Sequence, residues 1–311
     1  MRSLIKFFSS LKLTVWLLTA SMLLVFFGTL DQVHFGIWQT QKLYFESFFV
    51  VWAYPEQWLL YDLFFWLRLP LPGGYLLGGF LLINLLAAHI TRFQLSLKKC
   101  GLFLIHFGLI LLIISELLTD LLSHESRMLI DEGSRSNFST NVRQHELVLI
   151  DRKSKDFDTV FAVTGEALKQ PEPIPIPGTP LLVQCIQYYP NSYTVEAKAE
   201  SSSPADKGYA VERNRILKPV AISYDDNKPN FVSAYVKIFA DGQPIGTWLV
   251  SELLEYKNIK QIVRWKEQEW ELALRLQRSY YPFEIELTDF KHDRYPGTDI
   301  PFNFSSEVQI Y

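Results

Sequence analysis

The sequence predicts a membrane protein of the α + β class, with three N-terminal transmembrane helices followed by an extracytoplasmic, all-β, sandwich-like domain. Long apolar runs crowd before Leu122. From Met128 onward the hydrophobic period changes from helical to alternating, the mark of strands. Lys and Arg are distributed unevenly among the connections, which sets an orientation.

The predicted spans are Leu11–Leu30, Gly73–Ile90 and Gly101–Leu122. Each is close to the ~20 apolar residues that cross a hydrocarbon core. The first is followed by FFGTLDQV, which has no small-x-small cleavage site, so it reads as an uncleaved anchor. The N-terminal tail carries Arg2 and Lys6, with Lys12 at the membrane edge. The connection between the second and third spans carries Arg92, Lys98 and Lys99. Residues 31–72 hold only Lys42 and Arg68 against Asp31, Glu46, Glu56 and Asp62. The positive-inside rule then puts the N-terminus in the cytoplasm and residues 123–311 outside. The expected location is the cytoplasmic membrane, as a multi-pass protein. Residues 31–72 are rich in aromatics and interrupted by Pro55, Pro70 and Pro72. They read as short interfacial helices among membrane lipids, at the depth Trp and Tyr prefer.

In the outer domain, Glu146–Ile150, Leu181–Tyr189, Phe231–Ala240 and Phe283–Phe290 are strand-like. Asp241-Gly242 signals a hairpin, because such turns need positive φ. Residues 170–180 form a Pro-rich extended connector, residues 199–208 a polar loop, and Val250–Asn258 a short helix.

Composition excludes several functions. The net charge is −3 and no basic stripe follows the membrane region, which argues against a nucleic-acid partner. The two cysteines, Cys100 and Cys185, form no C-x-x-C, so the chain carries no internal dithiol couple. His124, His145 and His292 are scattered outside any H-E-x-x-H pattern, and G-x-S-x-G is absent. An independent hydrolase is therefore not expected.

The informative residues lie in the spans. His106 sits roughly 8–10 Å inside the third span at 1.5 Å per residue, and His89 lies near the end of the second. A polar ring at membrane depth is costly unless it has a task or a partner. Imidazole is also a common ligand for metal and haem iron. The competing reading for both is an interhelical hydrogen bond. Glu116 and Asp120, near the outer end of the third span, read as interface or capping residues.

Several segments form a wider pattern: Phe8-Ser9-Ser10-Leu11-Lys12-Leu13, then Gly28-Thr29, Ile105-His106-Phe107-Gly108, Glu132-Gly133, Leu287-Thr288-Asp289-Phe290, Tyr295-Pro296-Gly297-Thr298 and Phe304-Ser305-Ser306. In order and spacing the chain resembles the ResB family of cytochrome c biogenesis proteins. The resemblance implies a subunit of the system II cytochrome c synthetase, paired with a ResC/CcsA-like membrane protein. That complex carries haem b across the membrane and supports its attachment to apocytochrome c. The family's haem-ligating histidine falls on His106, with His89 as second choice. The chain itself would be a non-catalytic subunit of this haem lyase. It has no W-x-W-D-like segment, which the partner family uses to handle haem. Family members continue through more outer domain and a final membrane helix, so further chain, or the partner, is expected to supply the rest. The alternative is a membrane-anchored scaffold or sensor whose outer domain binds a ligand or protein; a transporter subunit is the weakest reading.

Overall fold

The computed structural model describes residues 2–92, 100–154, 157–198, 202–223 and 229–311. The chain divides into two compact units, Met1–His124 and Glu125–Ser223 with Pro229–Tyr311.

In the first unit α1 (Arg2–Phe8) leads into α2 (Leu11–Thr40), which runs on through a π turn at Gln41–Phe45. A hairpin of β1 (Phe49–Ala53) and β2 (Arg68–Pro72) encloses the one-turn helix α3 (Tyr61–Phe64); α4 (Gly74–Arg92) and α5 (Cys100–Leu122) follow. Among the described residues, three helical stretches are long and apolar enough to cross a membrane: Leu11–Phe45, Gly74–Thr91 and Cys100–Leu122.

The first stretch is not one rod. Gly36 has φ 70° and ψ 170°, a conformation essentially reserved for glycine. In a straight helix residues 28 and 44 would lie about 24 Å apart. Instead a Cβ added at Gly28 would lie 3.5 Å from the Tyr44 ring, and the Tyr44 hydroxyl donates to Asp31 Oδ2 at 2.6 Å. The chain therefore turns back at Gly36, and residues 37–45 pack against the end of the rising helix. Asp31, expected in a surface connection, is buried inside this helical hairpin.

The rest of the aromatic segment also departs from expectation. Instead of a run of short helices, Phe49–Ala53 and Arg68–Pro72 pair antiparallel, from Phe49 opposite Pro72 to Ala53 opposite Arg68. Alternation decides this: Val50 and Trp52 are buried while Phe49, Val51 and Ala53 face out. Val50 and Trp52 join Leu17, Leu24, Tyr44 and Leu77 in one apolar cluster. Pro70 is tolerated because it lies in a two-stranded ribbon, where each strand has a free edge. The Gly73-Gly74 break is required by close approach, since a Cβ on Gly74 would sit 2.2 Å from the Phe45 carbonyl oxygen.

The second unit is built mainly of strands. Its elements are β3 (Ser126–Arg127), β4 (Arg135–Asp151), β5 (Thr159–Thr164), α6 (Gly165–Leu168), β6 (Ile174–Pro175), β7 (Leu181–Tyr189), β8 (Ser192–Glu196), α7 (Tyr209–Glu212), β9 (Arg215–Pro219), β10 (Ser233–Ala240), β11 (Gln243–Ser251), α8 (Glu252–Tyr256), β12 (Gln261–Trp265), β13 (Gln268–Arg294) and β14 (Pro301–Ile310). One sheet has the order β11-β10-β7-β6. The other runs β12-β13-β4-β3, with β5 on β4 and β14 on β13. Both contribute to one apolar core: Leu147, Leu149, Leu272 and Leu274 from the second, Val183, Val236, Ile238 and Val250 from the first. The Asp241-Gly242 turn joins β10 to β11 with positive φ at both residues, and α8 occupies the expected short helix.

Strands β10 and β11 are buried on both faces. Ala234, Val236 and Ile238 point into the main core, while Tyr235 and Leu249 enter a second cluster with Ala205, Ala210, Leu217 and Leu254. That second cluster draws on the loop at 202–208 (its first residues, 199–201, lie outside the described residues), on α7 and on β9. The loop is thus less polar in place than in composition. Ser192, Ser233 and Ser251 chain their hydroxyls at 2.7 and 2.8 Å, so none is left unsatisfied between the layers.

Arg275 and Glu146 form a buried ion pair across β13 and β4, Nε to Oε1 2.9 Å. Removing one buried partner strands the other charge, so Arg275→Met is expected to cost about 3–5 kcal/mol of stability, and Arg275→Met with Glu146→Leu to recover most of it. Denaturant unfolding of the purified chain measures both; equal loss in the single and double variants would refute the pairing. Gly36→Ala should lower the unfolding midpoint of the helical unit, at a cost on the order of 1–3 kcal/mol, because Ala resists that conformation.

Candidate functional site

The α4 and α5 helices run antiparallel, and their register brings the two membrane histidines together. The His89 and His106 rings lie 6.1 Å apart, centroid to centroid, with planes at 67°. Phe103, one turn before His106, is 5.1 Å from the His89 ring and stacks on Phe107 at 6.0 Å. Both imidazoles are half-buried. A Cβ added at Gly101 or Gly108 would meet nothing within 4 Å, so no neighbouring group crowds α5 around His106. The two residues that the sequence ranked first and second therefore form one aromatic site. Two imidazoles placed this way can hydrogen-bond, share a proton or offer nitrogen to a metal. Among the described residues no group of three or more His, Cys, Asp or Glu side chains is placed to hold a metal ion, so ligation here would rest on these rings plus an outside ligand.

At the opposite end of the same helix pair Tyr75 donates to Asp120, and Lys42 Nζ lies 3.5 Å from Asp120 while also pairing with Glu46. Asp120 is thus tied into the helical hairpin. Glu116, one turn earlier, is exposed and forms no ion pair among the described residues. Lys98 and Lys99 lie outside the described residues, as does the Arg92 side chain.

Sequence reasoning passed over Asn84. It is buried within α4; its Oδ1 accepts from Thr14 at 2.7 Å, and its Nδ2 donates to the Phe8 and Ser10 carbonyls. Those carbonyls mark the junction of α1 and α2. A lone amide inside GGFLLINLL was the available signal, because a polar group in hydrocarbon needs a partner.

In the second unit, segments far apart in sequence converge. The Gly133 amide donates to the Leu287 carbonyl at 2.7 Å, and Glu132 Oε1 accepts from the Phe290 amide at 3.3 Å. Tyr295-Pro296-Gly297-Thr298 makes the turn between β13 and β14. Phe304 stacks on His292 at 4.5 Å, and Ser305 and Ser306 pair with Lys291 and Phe290. His145 Nε2 lies 2.9 Å from Glu252 Oε2, and His124 ends the first unit, exposed. The histidines of the second unit are therefore bound up in separate contacts.

No protein-family model matches the chain, and no curated protein matches it. Fold and site define a class: a protein with, among its described residues, three helices able to cross a membrane near its N-terminus, followed by a β-sheet-rich unit.

Cys185 lies on β7, opposite Val236 of β10, and burial pushes its thiol above the usual range. It is therefore protonated and a poor nucleophile near neutral pH. Alkylation by iodoacetamide at pH 8 is expected to run several-fold slower than for free cysteine. A rate matching free cysteine would contradict this placement.

Proposed function

We propose that this chain is a ResB-like subunit of a system II cytochrome c synthetase. With a ResC/CcsA-like partner it would move haem across the membrane and support its attachment to apocytochrome c. The observation that carries the reading is the meeting of His89 and His106 on adjacent apolar helices. Haem is the cargo here, a planar apolar ring with an iron that accepts imidazole nitrogen. The residues fit it: two half-buried imidazoles, flanking Phe103 and Phe107, and an uncrowded helix around Gly101 and Gly108. His106 would hold the iron, with His89 as alternate ligand or second-sphere partner that sets its tautomer.

The basic residues Arg2, Lys6, Lys12, Arg92, Lys98 and Lys99 support a cytoplasmic N-terminus, which leaves the β-rich unit outside with its two sheets acting as a sandwich. In that arrangement the histidine pair lies toward the cytoplasmic face, where haem is delivered. The β-rich unit would brace the partner or hold apocytochrome c. A second reading, a non-catalytic scaffold, draws on the exposed length of β14, whose outer edge pairs with no strand among the described residues, a surface suited to adding a strand from another chain.

The test is the visible spectrum of the chain co-purified with its W-x-W-D-containing partner. The expected result is a Soret band with reduced α and β bands that weakens in His106→Ala and is lost in His89→Ala/His106→Ala. A wild-type complex without haem would put the scaffold reading in front. Haem unchanged in the double variant would move the ligands to the partner.

A further inference from the structure

Strand β14 is exposed along all of its 10 residues and pairs with β13 alone among the described strands. Glu284 and Tyr311 exchange both backbone hydrogen bonds, at 3.1 and 2.9 Å. In an antiparallel pair, residues that bond across alternate with residues that do not. The odd positions of β14 therefore turn their N–H and C=O groups to β13. Phe304, Ser306, Val308 and Ile310 turn theirs to the free edge. Sheet edges are usually blunted by lysine, proline or a short strand, which keep other chains from adding to them. From Phe302 to Tyr311 there is no lysine, arginine or proline, and Glu307 is the single charged residue. This edge is long and carries none of those side-chain guards.

The side chains along it are symmetric about Ser306. Two positions away on either side stand Phe304 and Val308, and four away stand Phe302 and Ile310. These four are 58, 48, 64 and 70% exposed. One position away stand Ser305 and Glu307, and three away the amides Asn303 and Gln309. Side chains alternate between the faces of a strand, so Phe304, Ser306, Val308 and Ile310 share one face, and Ser305, Glu307 and Gln309 the other.

We infer that the partner of this edge is β14 of a second copy of the chain, added antiparallel about a two-fold axis through Ser306. The two serines then form a hydrogen-bonded pair through edge groups that both copies leave free. Phe304 meets Val308 of the second copy, Phe302 meets Ile310, and Asn303 meets Gln309. Glu307 faces the Ser305 hydroxyl, which can donate to it, and no like charges oppose each other. Neighbouring registers are worse. An axis through Glu307 sets two carboxylates face to face and puts Ser306 against Val308. An axis through Ser305 puts Phe304 against Ser306 and leaves Ile310 beyond the ladder. Pairing about Ser306 also uses the strand from Phe302 to Ile310, and an isologous contact of this kind closes at two copies. The inference names the occupant of the edge on which the scaffold reading draws, and it does not depend on haem.

The register supplies the test. Opposed residues of a hydrogen-bonded pair have Cα atoms about 5.5 Å apart, within reach of a disulfide. Gln309 and its own copy would stand six residues apart along the ladder, roughly 20 Å. Ser306→Cys and Gln309→Cys are made in the full chain with Cys100→Ser, since Cys100 is exposed and free. Each is purified in a nonionic detergent without any partner protein and oxidised mildly. Ser306→Cys is expected to give a covalent dimer on a non-reducing gel, and Gln309→Cys to stay monomeric. Light scattering should find the unmodified chain dimeric. Ser306→Pro should be monomeric, because it removes an N–H that faces the free edge and leaves the pairing with β13 intact. An unchanged unfolding midpoint establishes that this variant folds, and the cysteine pair carries the test if it does not. A monomeric unmodified chain, equal cross-linking of the two cysteine variants, or a folded Ser306→Pro that stays dimeric would each overturn the inference. Haem bound with no dimer would remove this inference and leave the proposed function standing.

Discussion

The helical unit depends on one glycine. Gly36 reverses the chain, and everything that follows in the unit is placed by that reversal. Tyr44 returns to pack beside Gly28, and its hydroxyl satisfies Asp31. Asp31 is thereby kept from standing as a lone buried carboxylate, which in hydrocarbon would cost several kcal/mol. Gly73 and Gly74 then admit the returning backbone and set where α4 begins. Asn84 fastens the other end, holding the start of α2 against α4.

Those contacts explain why α4 and α5 can serve two ends at once. Their antiparallel register carries His89 to His106 at one end and Tyr75 to Asp120 at the other. In a membrane, where apolar contact with lipid is as good as with protein, such polar and small-residue contacts select one packing among many.

The β-rich unit obeys a different constraint. Its β10–β11 hairpin is buried on both faces, so the run SAYVKIFA alternates between two cores rather than between core and water. The insertion from β8 to β9 supplies the second layer. The long strand β13 passes from this packed region, where it pairs with β4, to the exposed hairpin with β14. Gly133 and Glu132 are hydrogen-bonded at that junction, so separate segments of sequence meet where buried sheet becomes exposed ribbon.

The sequence by itself determined the three apolar stretches, the change to strands, the turn at Asp241-Gly242 and the short helix near Glu252. Each follows from composition within about twenty neighbouring residues, and local periodicity carries that information. It also singled out His89 and His106 as polar groups in apolar surroundings. Only the tertiary structure decided that these two rings meet, because their pairing depends on the antiparallel register of two helices. The reversal at Gly36 was equally hidden: a glycine in an apolar run is compatible with a straight helix, and the deciding contacts, from Tyr44 to Gly28 and Asp31, span many residues. The hairpin of Phe49–Ala53 with Arg68–Pro72 stayed illegible for the same reason, since its aromatic residues suit a membrane interface as well as a strand. In each case the missing term was a long-range contact, which alone distinguishes between local conformations of similar free energy.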